Sequence, residues 1–188
     1  MYRTFFKRLI DITASLICII IFAPLFFIVG LIIYLQDRGN PFFRQSRVGL
    51  YEKQFVLMKF RSMPVNTANV PSNEVAKIKI TPFGKFIRRS NLDELPQLFN
   101  IFLGEMSIVG PRPALPSQTE LVLMRREKNA YSCRPGLTGL AQVNSYDNMP
   151  ETEKAKWDGI YAGNLTFLQD VKIVLRTFVY LTKKPPTY

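Results

Sequence analysis

The dominant feature of the hydrophobic pattern runs from Ile12 to Leu35. These 24 consecutive positions are mostly Ile, Leu, Phe and Val, and none is charged. A helix of that length crosses the hydrocarbon core of a bilayer. A signal peptide fits poorly, because the run is too long and no small-x-small cleavage pattern follows it. Pro24 falls mid-run after Ala23. It removes one helical hydrogen bond and its ring crowds the preceding turn, so a kink or break is expected there. Both flanks are basic: Arg3, Lys7 and Arg8 before the run, Arg38, Arg44 and Arg47 after it. The positive-inside rule therefore gives no asymmetry, and both ends prefer the cytoplasm. Asp11, Asp37 and Arg38 bracket the run at headgroup level. Two topologies satisfy bilayer physics. One is a re-entrant helix-break-helix hairpin broken at Ala23-Pro24; the other is a proline-kinked single span.

Downstream the pattern becomes that of a small α+β, predominantly helical domain. Phe42–Gln45 and Phe55–Phe60 flank a turn around Gly49 and predict a β-hairpin. Ser62–Asn73 is polar, carries Pro64 and Pro71, and predicts a lid-like loop. Pro82–Arg89 predicts a short amphipathic helix. A second helix is expected to open at Asn91, with Glu94 completing a capping box and Pro96 in the first turn. Leu95, Leu98, Phe99, Phe102 and Leu103 give it helical spacing. A helix over Ser117–Lys128 follows, then a glycine-bearing loop, Arg134–Leu140, leading into a short strand. Leu168–Lys184 predicts an amphipathic basic helix that either lies on a membrane surface or packs on the core. The expected organisation is a membrane-inserted segment, 1–38, and a cytoplasmic domain, 39–188, on the membrane surface.

Charge sharpens this picture. The chain carries a formal +11 and is 47% apolar. It needs an anionic partner and a place for apolar surface; anionic phospholipids supply both, nucleic acid only the first. The rival reading is a non-enzymatic basic module binding membrane surfaces or nucleic acid. Cys18 and Cys133 are too few and too isolated for a metal site and are expected as free thiols. There is no histidine at all. The usual general base and commonest metal ligand are thus missing, and chemistry must run on carboxylates, hydroxyls, cations or a metal ion.

Asp93-Glu94 is the leading candidate. Helix dipoles attract acids to first turns, so capping alone explains many such pairs. Here Arg88 and Arg89 lie just upstream, and acids are scarce nearby. A carboxylate can attack phosphorus to give an acyl phosphate. It can also hold Mg2+, which takes one or two protein carboxylates plus phosphate oxygens. Arg112, fixed between two prolines, reads as a turn arginine or a bidentate phosphate clamp. Lys59 on a predicted strand either snorkels or points into a site. Asp170 reads as a helix-start acid or a site residue. Gly136 and Gly139 suit turn geometry better than a phosphate cradle, since the P-loop Lys-Ser/Thr ending is missing.

In these residues the chain resembles the bacterial monotopic phosphoglycosyl transferases, the sugar transferases that act on polyprenol phosphate. The likeness runs from Lys7 to about Lys184. It rests on Lys7–Asp11, the proline-broken apolar segment, Phe43–Gly49, Lys59–Met63, Leu92–Asn100, Met106–Pro113, Arg134–Gly139 and Ala141–Asn144, in that order. The resemblance implies transfer of a phospho-sugar from a UDP-sugar to undecaprenyl phosphate, with release of UMP. Asp93 then matches the nucleophile that carries the phospho-sugar, and Glu94 its partner; both are implicated in holding Mg2+. Lys59, Arg88, Arg112 and Asp170 match substrate-binding positions. The apolar segment matches a re-entrant membrane helix, which implies a monotopic protein on the cytoplasmic face of the bacterial inner membrane, with no nucleic-acid partner. Ala23 stands where many relatives have serine, and Ser145 where relatives often have glycine. The chain resembles a minimal form without the additional spans of larger members.

Overall fold

The computed structural model describes residues 1–64, 80–144 and 149–182. Its described chain is predominantly helical, with two small two-stranded sheets. The predicted loop beyond Pro64, Ser145 and the basic pair Lys183-Lys184 lie outside the described residues.

Helix α1 (Lys7–Asp37) follows a π-helical turn, Tyr2–Phe6. Its backbone stays helical through Ala23 and Pro24, both of them exposed. The sequence allowed a kink or a break here, and the described chain has one helix that contains the proline. Packing on both sides of Pro24 explains the continuity. Cys18 and Ile19 before it and Phe26 after it all contact the cluster of Leu57, Leu98, Ile101 and Met106. Such contacts offset the roughly 3 kcal/mol that an internal proline costs.

One face of α1 is docked along its length. Lys7, Asp11, Ser15, Val29 and Ile33 are buried, at the spacing of a single helical stripe. The outward face exposes Leu16, Ile17, Ile20, Ile21, Phe27, Ile28, Leu31 and Leu35. Both ends are tied to the same body. Arg8 donates to the carbonyls of Ile101 and Phe102, at 2.6 and 2.7 Å, and Asp11 accepts from the Ile108 amide at 3.0 Å. At the far end Arg61 grips both oxygens of Asp37 at 2.6 Å.

Strands β1 (Phe42–Val48) and β2 (Gln54–Phe60) form the predicted antiparallel hairpin, which sets Phe43 opposite Lys59. Helix α2 (Pro82–Arg89) starts under a Thr81 cap whose hydroxyl accepts from the Gly84 amide. Helix α3 (Gln97–Leu103) leads to β3 (Ser107–Val109), which pairs in parallel with β4 (Gly136–Thr138). Here the glycines of the 134–140 loop show their purpose. A side chain on Gly136 would run into the Gly110 backbone, and one on Gly110 into the Arg134 carbonyl. They permit close backbone approach.

Helix α4 (Thr119–Glu127) falls within the predicted span. Helix α5 (Leu140–Asn144) stands where a short strand was expected after the loop, since the strand, β4, forms within the loop by pairing with β3, and helix α6 (Glu151–Gly163) was not read from the sequence. Helix α7 (Phe167–Leu181) packs on the core through Asp170 and Ile173, which are buried, and leaves Phe167, Leu168, Leu175, Phe178 and Val179 exposed. Both cysteines are free, and burial pushes the Cys133 thiol up to about 12.

Candidate active site

Asp93 and Glu94 sit on a tight 3-10 turn, Leu92–Glu94, entered through Asn91 in the left-handed conformation. Helix α3 begins only after Pro96. The predicted capping box is therefore not formed. Asn91 makes no side-chain cap bond, and Glu94 is engaged elsewhere. Its Oε1 accepts from Lys59 Nζ at 2.8 Å and from Arg112 Nη2 at 2.7 Å. Lys59 Nζ also lies 4.0 Å from Asp93 Oδ2.

Each cation comes from a different element. Lys59 is carried by β2 and Arg112 by the Pro111–Pro113 turn after β3. Arg88 lies in the last turn of α2, where its Nε donates to the Ser62 hydroxyl at 2.7 Å. Gly84 makes that contact possible, because any side chain there would collide with the Ser62 carbonyl. Of the residues expected from sequence, the fold thus gathers Asp93, Glu94, Lys59, Arg88 and Arg112.

The two carboxylates are pushed apart electrostatically. Burial raises Asp93 most, Lys59 pulls it back, the Glu94 charge raises it further, and Arg88 and Arg112 lower it; the balance is about 6. Burial would raise Glu94 too. There the charges and hydrogen bonds of Arg112 and Lys59 win and hold it well below the usual carboxylate range. Glu94 is the permanent anion that fixes the cations. Asp93 is the more basic, and so the more nucleophilic, of the pair.

Asp170 lies in the first turn of α7, as the helix-start reading had it, and is held apart from the Asp93-Glu94 pair by its own partners. Its Oδ2 accepts from Lys7 Nζ and from the Tyr2 hydroxyl, each at 2.7 Å, and its Oδ1 accepts from the Tyr161 hydroxyl at 2.8 Å. These partners come from the N-terminal turn, α1 and α6, so the carboxylate joins α7 to the start of α1. Ala23 and Pro24 lie on the exposed side of α1.

The sequence reading missed Arg47, counted there only as a flanking charge. It donates to the Pro113 carbonyl at 3.1 Å and to Gln45 at 2.6 Å. Burial lowers its guanidinium to about 10 and Arg112 adds repulsion, partly offset by Glu94. Its place in a strand, one residue before the buried Val48, was the available signal.

For Mg2+ the donor set is chemically suitable: two hard carboxylates at a site lined by cations that attract phosphate. Among the described residues no group of three or more acidic, histidine or cysteine ligands converges.

A half-buried carboxylate pair ringed by cations defines the class, an anion-handling site, in a chain that also has a helix long and apolar enough to cross a membrane. The Bacterial sugar transferase family matches residues 2–184, and the chain belongs to that family. It is 36% identical over 181 residues to a UDP-glucose:undecaprenyl-phosphate glucose-1-phosphate transferase of Klebsiella pneumoniae, covering 92% of this chain and 39% of that protein. A Caulobacter vibrioides protein of the same name is 36% identical over 180 residues, covering 91% and 67%. An undecaprenyl-phosphate galactose phosphotransferase of Salmonella typhimurium is 34% identical over 207 residues, covering 98% and 42%. The chain thus spans about two fifths of the Klebsiella and Salmonella proteins and about two thirds of the Caulobacter one.

Proposed function

We propose that the protein transfers a sugar phosphate from a UDP-sugar to undecaprenyl phosphate in two displacements at one phosphorus. In the first, an Asp93 carboxylate oxygen attacks the phosphorus that bears the sugar. The bridging P–O bond breaks, UMP leaves with the bridging oxygen, and an aspartyl phospho-sugar remains. In the second, a phosphate oxygen of undecaprenyl phosphate attacks that phosphorus. The acyl P–O bond breaks, the carboxylate is regenerated, and the product is the lipid diphosphate sugar.

The observation that carries this reading is the convergence of Lys59, Arg112 and Arg88 on the Asp93-Glu94 pair from three separate elements. Two anionic substrates have to approach an anionic nucleophile, and preorganised cations offset that repulsion and the charge on leaving UMP. Mg2+, held by Asp93 and Glu94, supplies further neutralisation of phosphate charge when bound. No histidine is needed, because no proton moves in either displacement.

The reading places residues 1–38 in the cytoplasmic leaflet of the bacterial inner membrane as a re-entrant segment bent at Pro24, and 39–188 on its surface. Support comes from the docking of α1, whose 31 residues span about 46 Å. Contacts at Arg8 and at Asp37 both reach the same globular body. A perpendicular crossing would drag that body through the bilayer; a re-entrant path does not.

Two measurements test the reaction. UMP release from a panel of UDP-sugars, with undecaprenyl phosphate and Mg2+, should occur for the native chain and vanish in Asp93→Asn. Intact mass of the protein quenched with donor alone should show a phospho-sugar adduct that maps to Asp93. Full turnover in Asp93→Asn rejects the covalent route, and salt-sensitive lipid binding without turnover supports the non-enzymatic module instead.

A further inference from the structure

We infer that Arg125 and Asp158 form a positioning device for the anion site, resting on the functional reading above. The pair is among the most enclosed charged groups of the described chain: Arg125 is 3% exposed and Asp158 1%. Asp158 Oδ2 accepts from Arg125 Nε at 2.8 Å and lies 2.6 Å from Nη2. The remaining arm, Nη1, donates to the backbone carbonyl of Arg112 at 2.9 Å.

That last bond gives the pair its purpose. The side chain of Arg112 is 51% exposed, so a long, flexible cation has to be delivered to Glu94 from a loop at the surface. Its backbone is what can be fixed. Arg125 holds the Arg112 carbonyl, Arg47 holds the next one, at Pro113, and the Val48 amide holds that of Ala114 at 2.9 Å. Pro111 and Pro113 restrict the backbone on either side. A buried guanidinium is ordinarily costly. Here Asp158 neutralises it and orients the fork so that one nitrogen is left for the loop. Neither residue touches the carboxylate pair; they act through Arg112, by limiting where its guanidinium rests. Burial raises Asp158 against the pull of Arg125, consistent with a carboxylate retained in the core for its partner.

Arg125→Lys tests this while keeping the buried cation against Asp158. A lysine ammonium has no rigid fork to serve Asp158 and the Arg112 carbonyl in fixed geometry. The second variant, Arg125→Met with Asp158→Leu, removes the device but fills the space with apolar groups, a replacement that folded proteins commonly tolerate. Steady-state UMP release is measured for both, for Arg112→Ala and for the combination Arg125→Lys/Arg112→Ala. Arg125→Lys should lower kcat/KM about tenfold, with the same division between kcat and KM as Arg112→Ala. In the Arg112→Ala background it should add little, since coupled residues are non-additive. Merely losing folded enzyme would lower kcat and leave KM alone. A readout independent of turnover is the side-chain 15Nε resonance of Arg112, assigned by its loss in Arg112→Ala, which should shift in both variants. Absence of UMP release from the native chain rejects the proposed reaction, and the resonance then decides the positioning role by itself. A folded variant with unchanged kcat/KM and an unshifted Arg112 signal, or fully additive losses, overturns the inference.

Discussion

Arg112 donates to Glu94 across 2.7 Å although the two residues leave unrelated elements, the turn after β3 and the turn before α3. Glu94 is thereby kept ionised while Asp93, its chain neighbour, is raised to about 6. A pH profile follows. On the proposed route Asp93 attacks as the carboxylate, and kcat/KM reports the groups of the free enzyme. Activity should be flat above about pH 7 and fall tenfold per unit below about 6. An acid limb near 4 would mean that burial does not dominate at Asp93.

Removing single charges should move that limb in opposite directions. Lys59→Met deletes the cation nearest to Asp93, so the residual activity should show its acid limb above 6. Glu94→Gln deletes the like charge, and the limb should drop below 6. Both variants should lose at least a hundredfold in kcat/KM, since each dismantles the preorganised cluster. The informative measurement is the sign of each displacement, which a nonspecific folding defect does not reproduce.

Asp93 also lowers the stability of the fold that carries it. Its folded value, about 6, lies above the unfolded carboxylate value of about 4. The folded state therefore binds more protons between those values, and stability falls as pH rises through that window. At neutral pH the deficit is on the order of 1–3 kcal/mol. Asp93→Asn should accordingly unfold at a higher temperature than the native chain at pH 7 and show little difference near pH 4. Equal destabilisation at both values would contradict it.

Legibility in the sequence followed the range of the interactions. The hairpin, α2, α4 and α7 were readable because alternation, a Thr-Pro start and amphipathic spacing are local. The site was readable as a set of residue types, and Asp93, Glu94, Lys59, Arg88 and Arg112 do meet. Their geometry was not, because Lys59 and Glu94 are 35 positions apart, and no local rule distinguishes a capping acid from one facing a strand. The choice between a kink and a break at Pro24 was left open for the same reason. Propensity favours a break there, and packing of Ile19 and Phe26 on one cluster overrides it. Asp170 was legible as an acid in the first turn of a helix, but its partners Tyr2 and Lys7 were not, because they lie more than 160 residues away.

The Asp170 network should show in stability. Lys7 and Asp170 form a largely buried pair, and two tyrosine hydroxyls share the carboxylate. Asp170→Ala strands Lys7 and the Tyr2 hydroxyl, while Tyr161 keeps its bond to the Val109 carbonyl. The expected cost is about 3–5 kcal/mol. Lys7→Met leaves Asp170 with two donors and should cost less. Denaturant unfolding of the two variants in the same detergent gives the comparison, and a larger cost for Lys7→Met would contradict the ordering.

The path of α1 is open to direct chemistry. Thr4 and Gln36 are exposed near its two ends, and both ends are bound to one body through Arg8 and Asp37. With Cys18→Ala removing the half-buried native thiol, single cysteines at Thr4→Cys and Gln36→Cys can be reacted with a membrane-impermeant maleimide. Vesicles of both orientations are compared. A re-entrant segment makes both positions react in inside-out vesicles and neither in right-side-out ones, because the docked helix cannot separate its ends across a hydrocarbon core of about 30 Å. Reaction of Thr4→Cys from the opposite side to Gln36→Cys would require the buried stripe from Lys7 to Ile33 to leave the domain. In that case Arg8 and Asp11 would also lose their partners at Ile101 and Ile108, and a full span would replace the monotopic reading.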